Sequence, residues 1–157
     1  MIIRESTLEE VLGWYKPEAR YLQEAELDYP EATGLFRIPQ SVYLLQSTGH
    51  LNAVDLLICY NQLVFSTFIE ATQLNLVQEL QGVSLDQKER LGRGLIVGIN
   101  NVKFKRPIYP REFKGNITIK EVIPKKGNTL YFFKTYYDFE ESKATGEIDL
   151  VLNLQHI

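Results

Sequence analysis

The longest pattern in the chain is helical. Between Asn52 and Gln73, Leu56, Cys59/Tyr60, Leu63/Val64, Thr67/Phe68 and Ala71 return at three- and four-residue steps, the spacing of one helix face. Val54, Leu57, Ile58, Phe65 and Ile69 lie off that stripe, so the helix is apolar nearly all round, as a helix surrounded by protein is. Its length alone would suit a membrane span. Asn52, Asp55, Asn61, Gln62 and Glu70 within it argue for burial in protein instead, because amides and carboxylates are costly in lipid.

The last third changes period. "LIVGINNVKFKRP", "EFKGNITIKEVIP", "TLYFFKTYYDF" and "GEIDLVLNL" alternate or run apolar. Turn signals separate them at Pro107–Pro110, Lys125–Asn128 and Lys143–Gly146, which predicts four strands in an antiparallel meander. Earlier, "STLEEVLGWY" predicts a short helix capped by Ser6 or Thr7 and ended by Gly13 and Pro17. "ARYLQEAELDY" is compatible with helix or strand, and "TGLFRIP" predicts a strand closed by Pro39. Residues 74–93 are polar and irregular, with a second short helix expected at "SLDQKERL". One buried helix against one antiparallel sheet of five or six strands is an α+β two-layer domain. The 157 residues suffice for a single domain, 1–157, without a repeat or linker.

Composition narrows the function classes. Apolar residues make up 45% and charged residues 24%, and the net charge is −3, which disfavours nucleic acid or an anionic membrane as partner. The N-terminus "MIIRESTLEEV" lacks an apolar signal core, so the expected compartment is the cytoplasm. A lone cysteine, Cys59, forms no internal disulfide and reads as a small buried hydrophobe. No phosphate-binding glycine loop, dinucleotide fingerprint or zinc spacing is present, so neither metal nor cofactor is expected. Ser41, Ser47 and Asp55 lie near His50, but no nucleophile-elbow pattern surrounds them.

The candidate chemistry sits where the helix begins. "YLLQSTGHLN" places Gly49, His50 and Asn52 at its mouth. Asn52 is a good N-cap. A helix N-terminus also offers unpaired N–H groups, here near Ala53, and the positive end of the dipole to a carbonyl oxygen that gains charge. Gly49 lets a substrate approach the backbone. His50 titrates near neutral pH and is the candidate general base. The basic stretch "KFKRPIYPR", with Lys103 and Arg106, reads either as a site for a phosphate-bearing tail or as an edge strand protected by lysines and proline.

"YLLQSTGHLNAVDLLICYNQLVFSTF", then "FKRPIYPREF" and "ATGEIDLVLNL", resemble the FcoT-like family of hotdog-fold thioesterases, from about Tyr15 to Leu154. The resemblance implies a long central helix wrapped by a curved antiparallel sheet, a strand at "ARYLQEAELDY", and a homodimer or higher oligomer. It implies hydrolysis of fatty acyl thioesters of coenzyme A or acyl carrier protein. Family members in isonitrile-lipopeptide pathways add glycine to a (2E)-enoyl thioester and release a 3-(carboxymethylamino) fatty acid. The family's site residues fall on Tyr15, Tyr43 and Asn52, and His50 matches too. On that basis Asn52 positions water or the carbonyl, while Tyr43 and Tyr15 donate to the developing charge or orient the nucleophile. Arg37, Arg93, Lys103 or Arg106 would hold a glycine carboxylate. Two other readings are a non-catalytic acyl-binding hotdog protein and an enoyl hydratase or dehydratase relative.

Overall fold

The computed structural model describes residues 1–83, 94–127 and 129–154. The helix expected at "SLDQKERL", Arg93 and His156 lie outside the described residues. Helix α1 (Glu5–Leu12) leads through a 3-10 turn at Pro17–Ala19 into strands β1 (Leu22–Asp28) and β2 (Glu31–Phe36). Helix α2 (Ala53–Gln73) follows, then β3 (Leu95–Phe104), β4 (Phe113–Lys125), β5 (Leu130–Phe139) and β6 (Ala144–Asn153). All six strands form one antiparallel sheet in the order β1-β2-β4-β5-β6-β3. This is the α+β architecture expected, with "ARYLQEAELDY" resolved as strand.

The meander holds only for β4, β5 and β6. Strand β3 does not pair with β4; it crosses over and pairs with β6 at the sheet edge. Short spacing in sequence does not reveal this, because the link from β3 to β4 (residues 105–112) is long enough to leave the hairpin geometry. The β5–β6 turn also falls earlier than expected. Glu140, Glu141 and Ser142 take positive φ there, and Ser142 donates from its N–H and hydroxyl to Asp138 (2.6 and 2.7 Å). Gly146 therefore sits inside β6, where a Cβ would collide with the Tyr137 ring.

The stripe read from the sequence is the core stripe: Leu56, Cys59, Tyr60, Leu63, Val64, Phe68 and Ala71 are buried. Phe68 meets Phe133 at 4.4 Å between ring centroids, and Tyr60 meets Tyr137 edge-on. Of the highest-hydropathy stretch of α2, 72% is buried inside the fold, although the helix is long and apolar enough to cross a membrane. The cap expected at Ser6 or Thr7 is not formed. Helix α1 starts at Glu5 with Arg4 at the cap position, and Thr7 turns inward to donate to Glu70 Oε2 at 2.5 Å. A buried carboxylate needs such donors, and that need outweighs the local capping preference.

Gln62 ties the start of β1 to α2. Its Nε2 donates to Ala19 O (2.7 Å), and its Oε1 accepts from the N–H groups of Tyr21 and Leu22 (3.0 Å each). Buried amides of this kind fix register because each unpaired group costs about 1–3 kcal/mol. Here the staple sets Tyr21 against the first turn of α2.

Candidate active site

Helix α2 begins as its sequence predicts. Asn52 has extended backbone and its Oδ1 accepts from Asp55 N–H at 2.9 Å. Leu56 N–H donates to Asn52 O. The cap therefore uses the third N–H of the helix. The N–H groups of Ala53 and Val54, the first two residues of the helix, have no partner among the described residues. The turn before the cap is held locally: Gly49 N–H donates to Ser47 Oγ (3.1 Å) and Thr48 Oγ1 to His50 O (3.0 Å). Gly49 has φ +78° with open space where a Cβ would be, so glycine is needed there for its backbone angle.

The loop after β3 closes over this turn. Leu51 N–H donates to Ile108 O at 2.8 Å, and Ile108 is buried. Between the two segments lies a cleft of ≈ 420 Å³ lined by His50, Leu51, Asn52 and Ala53 on one side and Phe104, Lys105, Arg106 and Pro107 on the other. His50 Nδ1 lies 3.1 Å from Thr48 O. A carbonyl oxygen only accepts, so Nδ1 carries a proton there, and in the neutral ring Nε2 is the acceptor.

Beneath the cap is a carboxylate whose role the sequence did not reveal. Asp55 is 1% exposed. It accepts from Ser41 Oγ, from Tyr21 OH (3.3 Å) and from Asn52 Nδ2 (3.2 Å). Tyr43 OH donates to Asn52 Oδ1 at 2.5 Å. Burial, with the Asp55 charge second, pushes the Tyr43 phenol above its usual pKa, and the same two causes push Tyr21 up to about 12. The Cys59 thiol, one turn beyond Asp55, is pushed well up by burial first and Asp55 second, and so is an unreactive thiol.

The candidate residues separate by place. Tyr43, Gly49, His50, Asn52, Ala53 and Arg106 gather at the α2 N-terminus. Lys103 sits back on exposed β3 and does not line the cleft; Lys105 does. Tyr15 is half-buried, its phenol raised by burial and then by Cys59, and no hydrogen bond joins it to Tyr43 or Asn52. Arg37 is held by Glu112 (2.6 and 2.9 Å), beside a separate acid-lined depression that includes Asp138, Glu140 and Glu141. Sequence reasoning missed Tyr21 and the contacts of Asp55, and it weighed Ser41 only as a neighbour of His50 and Lys105 only within the basic stretch. Among the described residues no group of three metal-ligating side chains occurs.

Comparison with known proteins identifies the family. An FcoT-like thioesterase domain model covers residues 10–152. A (2E)-enoyl-acyl-carrier-protein glycyltransferase of Mycobacterium tuberculosis is 33% identical over 162 residues, covering 94% of this chain and 86% of the relative. A protein of the same name from Streptomyces coeruleorubidus is 30% identical, covering 93% and 94%. Among solved structures, a thioesterase-like protein from Syntrophus aciditrophicus superposes with a TM-score of 0.53 at 15% identity, covering 94% of each chain. The dehydratase domain of RzxB from Pseudomonas fluorescens does so at 0.57 and 14%, covering 98% of this chain and 47% of that one. These structures share the hotdog fold, and at such identity they speak to fold alone. The matched domain and the relatives' names together establish that this chain belongs to the FcoT-like thioesterase family, as a hotdog-fold enzyme acting on fatty acyl thioesters.

Proposed function

We propose that the α2 N-terminus is the reaction centre, that it takes fatty acyl thioesters of acyl carrier protein or coenzyme A, and that it couples glycine addition to thioester cleavage. The observation that carries this reading is the pair of unpartnered N–H groups at Ala53 and Val54, which open beside a cleft. They suit a thioester oxygen that becomes negative as the nucleophile attacks. In hydrolysis, water adds to the carbonyl carbon, the C–S bond breaks, and the thiol leaves with a proton. In conjugate addition, the glycine nitrogen lone pair forms a bond to the β-carbon and the alkene electrons move onto the thioester oxygen. The nitrogen's proton then ends on the α-carbon. Both reactions use one polarised carbonyl, so one site serves both. His50 Nε2 is the group available to take the nucleophile's proton.

Lys105 and Arg106 line the cleft without an ion-pair partner among the described residues. They suit the phosphate of a pantetheine tail, and Arg106 is the favoured cation for the glycine carboxylate, since Arg37 is occupied by Glu112. We assign the enzyme to the cytoplasm with its thioester substrates. A second copy of the chain is expected to cover the open face of α2 and the free edge of β3. Val54, Leu57, Ile58 and Asn61 share that helix face, and Asn61 Oδ1 is buried without a partner among the described residues. Strand β3 exposes Leu95, Val97, Ile99, Val102 and Phe104, more apolar surface than an isolated edge carries.

The test is product analysis by mass. Incubating a (2E)-enoyl thioester with glycine is expected to yield the free 3-(carboxymethylamino) acid, and without glycine the free enoic acid. Release of thiol with no glycine adduct would restrict the protein to hydrolysis. A 3-hydroxyacyl product would favour a hydratase.

A further inference from the structure

The Tyr43 hydroxyl has one proton to give, and its inner neighbours decide where it goes. Asn52 Oδ1 receives it. The Asn52 amide cannot turn over to offer Nδ2 instead, because Oδ1 also accepts Asp55 N–H and Nδ2 donates to Asp55 Oδ2. Ser41 spends its own proton on Asp55 Oδ2. Asn52 Oδ1, fixed in place by Asp55, therefore presents an acceptor to Tyr43, and the phenol proton points inward. What the 44%-exposed residue offers outward is an oxygen lone pair.

A thioester carbonyl oxygen also only accepts, so it cannot bond to that lone pair. Water and a primary amine carry the O–H or N–H that can. Resting on the proposed function above, we propose that Tyr43 is a hydrogen-bond acceptor that orients the nucleophile, and that Asp55 is the positioning residue that holds Tyr43 in this polarity through the Asn52 amide. The carbonyl oxygen is left to the Ala53 and Val54 N–H groups. This divides the site in two: backbone donors for the electrophile and a phenol acceptor for the nucleophile.

Two inert analogues separate the roles. One is an acyl-pantetheine in which methylene replaces sulfur and the ketone is kept; the other lacks the ketone oxygen as well. Their affinity ratio reads the carbonyl contacts, and turnover reads the nucleophile. Y43F changes a surface residue and is expected to keep the ketone preference within about twofold while kcat falls at least about tenfold. D55A is expected to show the same split. D55N keeps an acceptor toward Asn52 and Ser41, and is expected to retain at least about a third of wild-type kcat. Loss of the ketone preference in Y43F, or wild-type kcat in that variant, overturns the assignment of Tyr43. Should D55A not fold, D55N decides the second half: a tenfold fall in its kcat overturns the role given to Asp55. Wild-type protein that binds both analogues yet releases no thiol refutes the enzymatic reading itself, and the proposal with it. An active wild type with the wrong Y43F signature refutes only the proposal.

Discussion

Helix α2 carries a buried carboxylate near each end, and the two are held in opposite ways. Glu70, in the last turn, accepts from Arg4 Nε at 2.8 Å and from Thr7 Oγ1. Asp55, in the first turn, has no cation among the described residues and accepts only from hydroxyls and an amide. The helix dipole accounts for part of this difference. A negative charge is favoured at an N-terminus and disfavoured near a C-terminus, so Glu70 needs a cation and Asp55 does not. The rest of the difference is in what each group touches. Glu70 fastens α1 to the domain. Asp55 fastens Asn52, which lines the cleft, and through it Tyr43. One residue class thus ties two helices together at one end and holds the side chains of the cap and its loop at the other.

That contrast can be broken by mutation. The largest effect is expected at Glu70. E70A strands Thr7 and Arg4, but Arg4 is half-exposed and can turn to water, so the cost is about 2 kcal/mol. Thermal denaturation should show Tm lower by about 4–8 °C, with turnover per folded molecule unchanged. A large fall in kcat would make Glu70 part of the site. At the other end, R106A is expected to raise KM for an acyl-CoA about five- to tenfold with kcat nearly constant, more at low than at high salt. A salt-independent KM would remove Arg106 from phosphate binding. G49A forces an alanine to φ +78° and should cost about 1 kcal/mol in chemical denaturation.

The smallest effect belongs to alkaline pH. Tyr21 titrates at about 12 in the fold against about 10 when unfolded. The unfolded chain releases this proton first, so stability from Tyr21 is complete below pH 10 and is lost as pH rises toward 12. Denaturation midpoints followed from pH 9 to 11 should fall less steeply in Y21F than in wild type. Equal slopes would show that Asp55 and burial do not act on Tyr21.

Much of this arrangement was legible in the sequence. The three- and four-residue spacing from Leu56 to Ala71 identified the core helix, and the Asn52 cap followed from residue type. The polar turn with Gly49 and His50 marked where the helix begins. Other features could not be read because they depend on distant segments meeting. Asp55 looks like an ordinary first-turn acid until the Gln62 staple brings Tyr21 to it and the loop brings Ser41. Strand β3 looked like part of a meander because periodicity states that a strand exists and not which strand it joins. Lys103 and Lys105 are both exposed basic residues in one stretch, and only the path of the chain past Phe104 decides which lines the cleft.

One comparison bears on the whole account: thiol release from a medium-chain acyl thioester by wild type, N52A and E70Q, each confirmed folded by circular dichroism. N52A is expected to lower kcat at least about tenfold, about 1.4 kcal/mol of barrier, while E70Q stays within about twofold per folded molecule. A folded N52A that releases thiol at the wild-type rate would contradict the placement of the reaction at the α2 N-terminus.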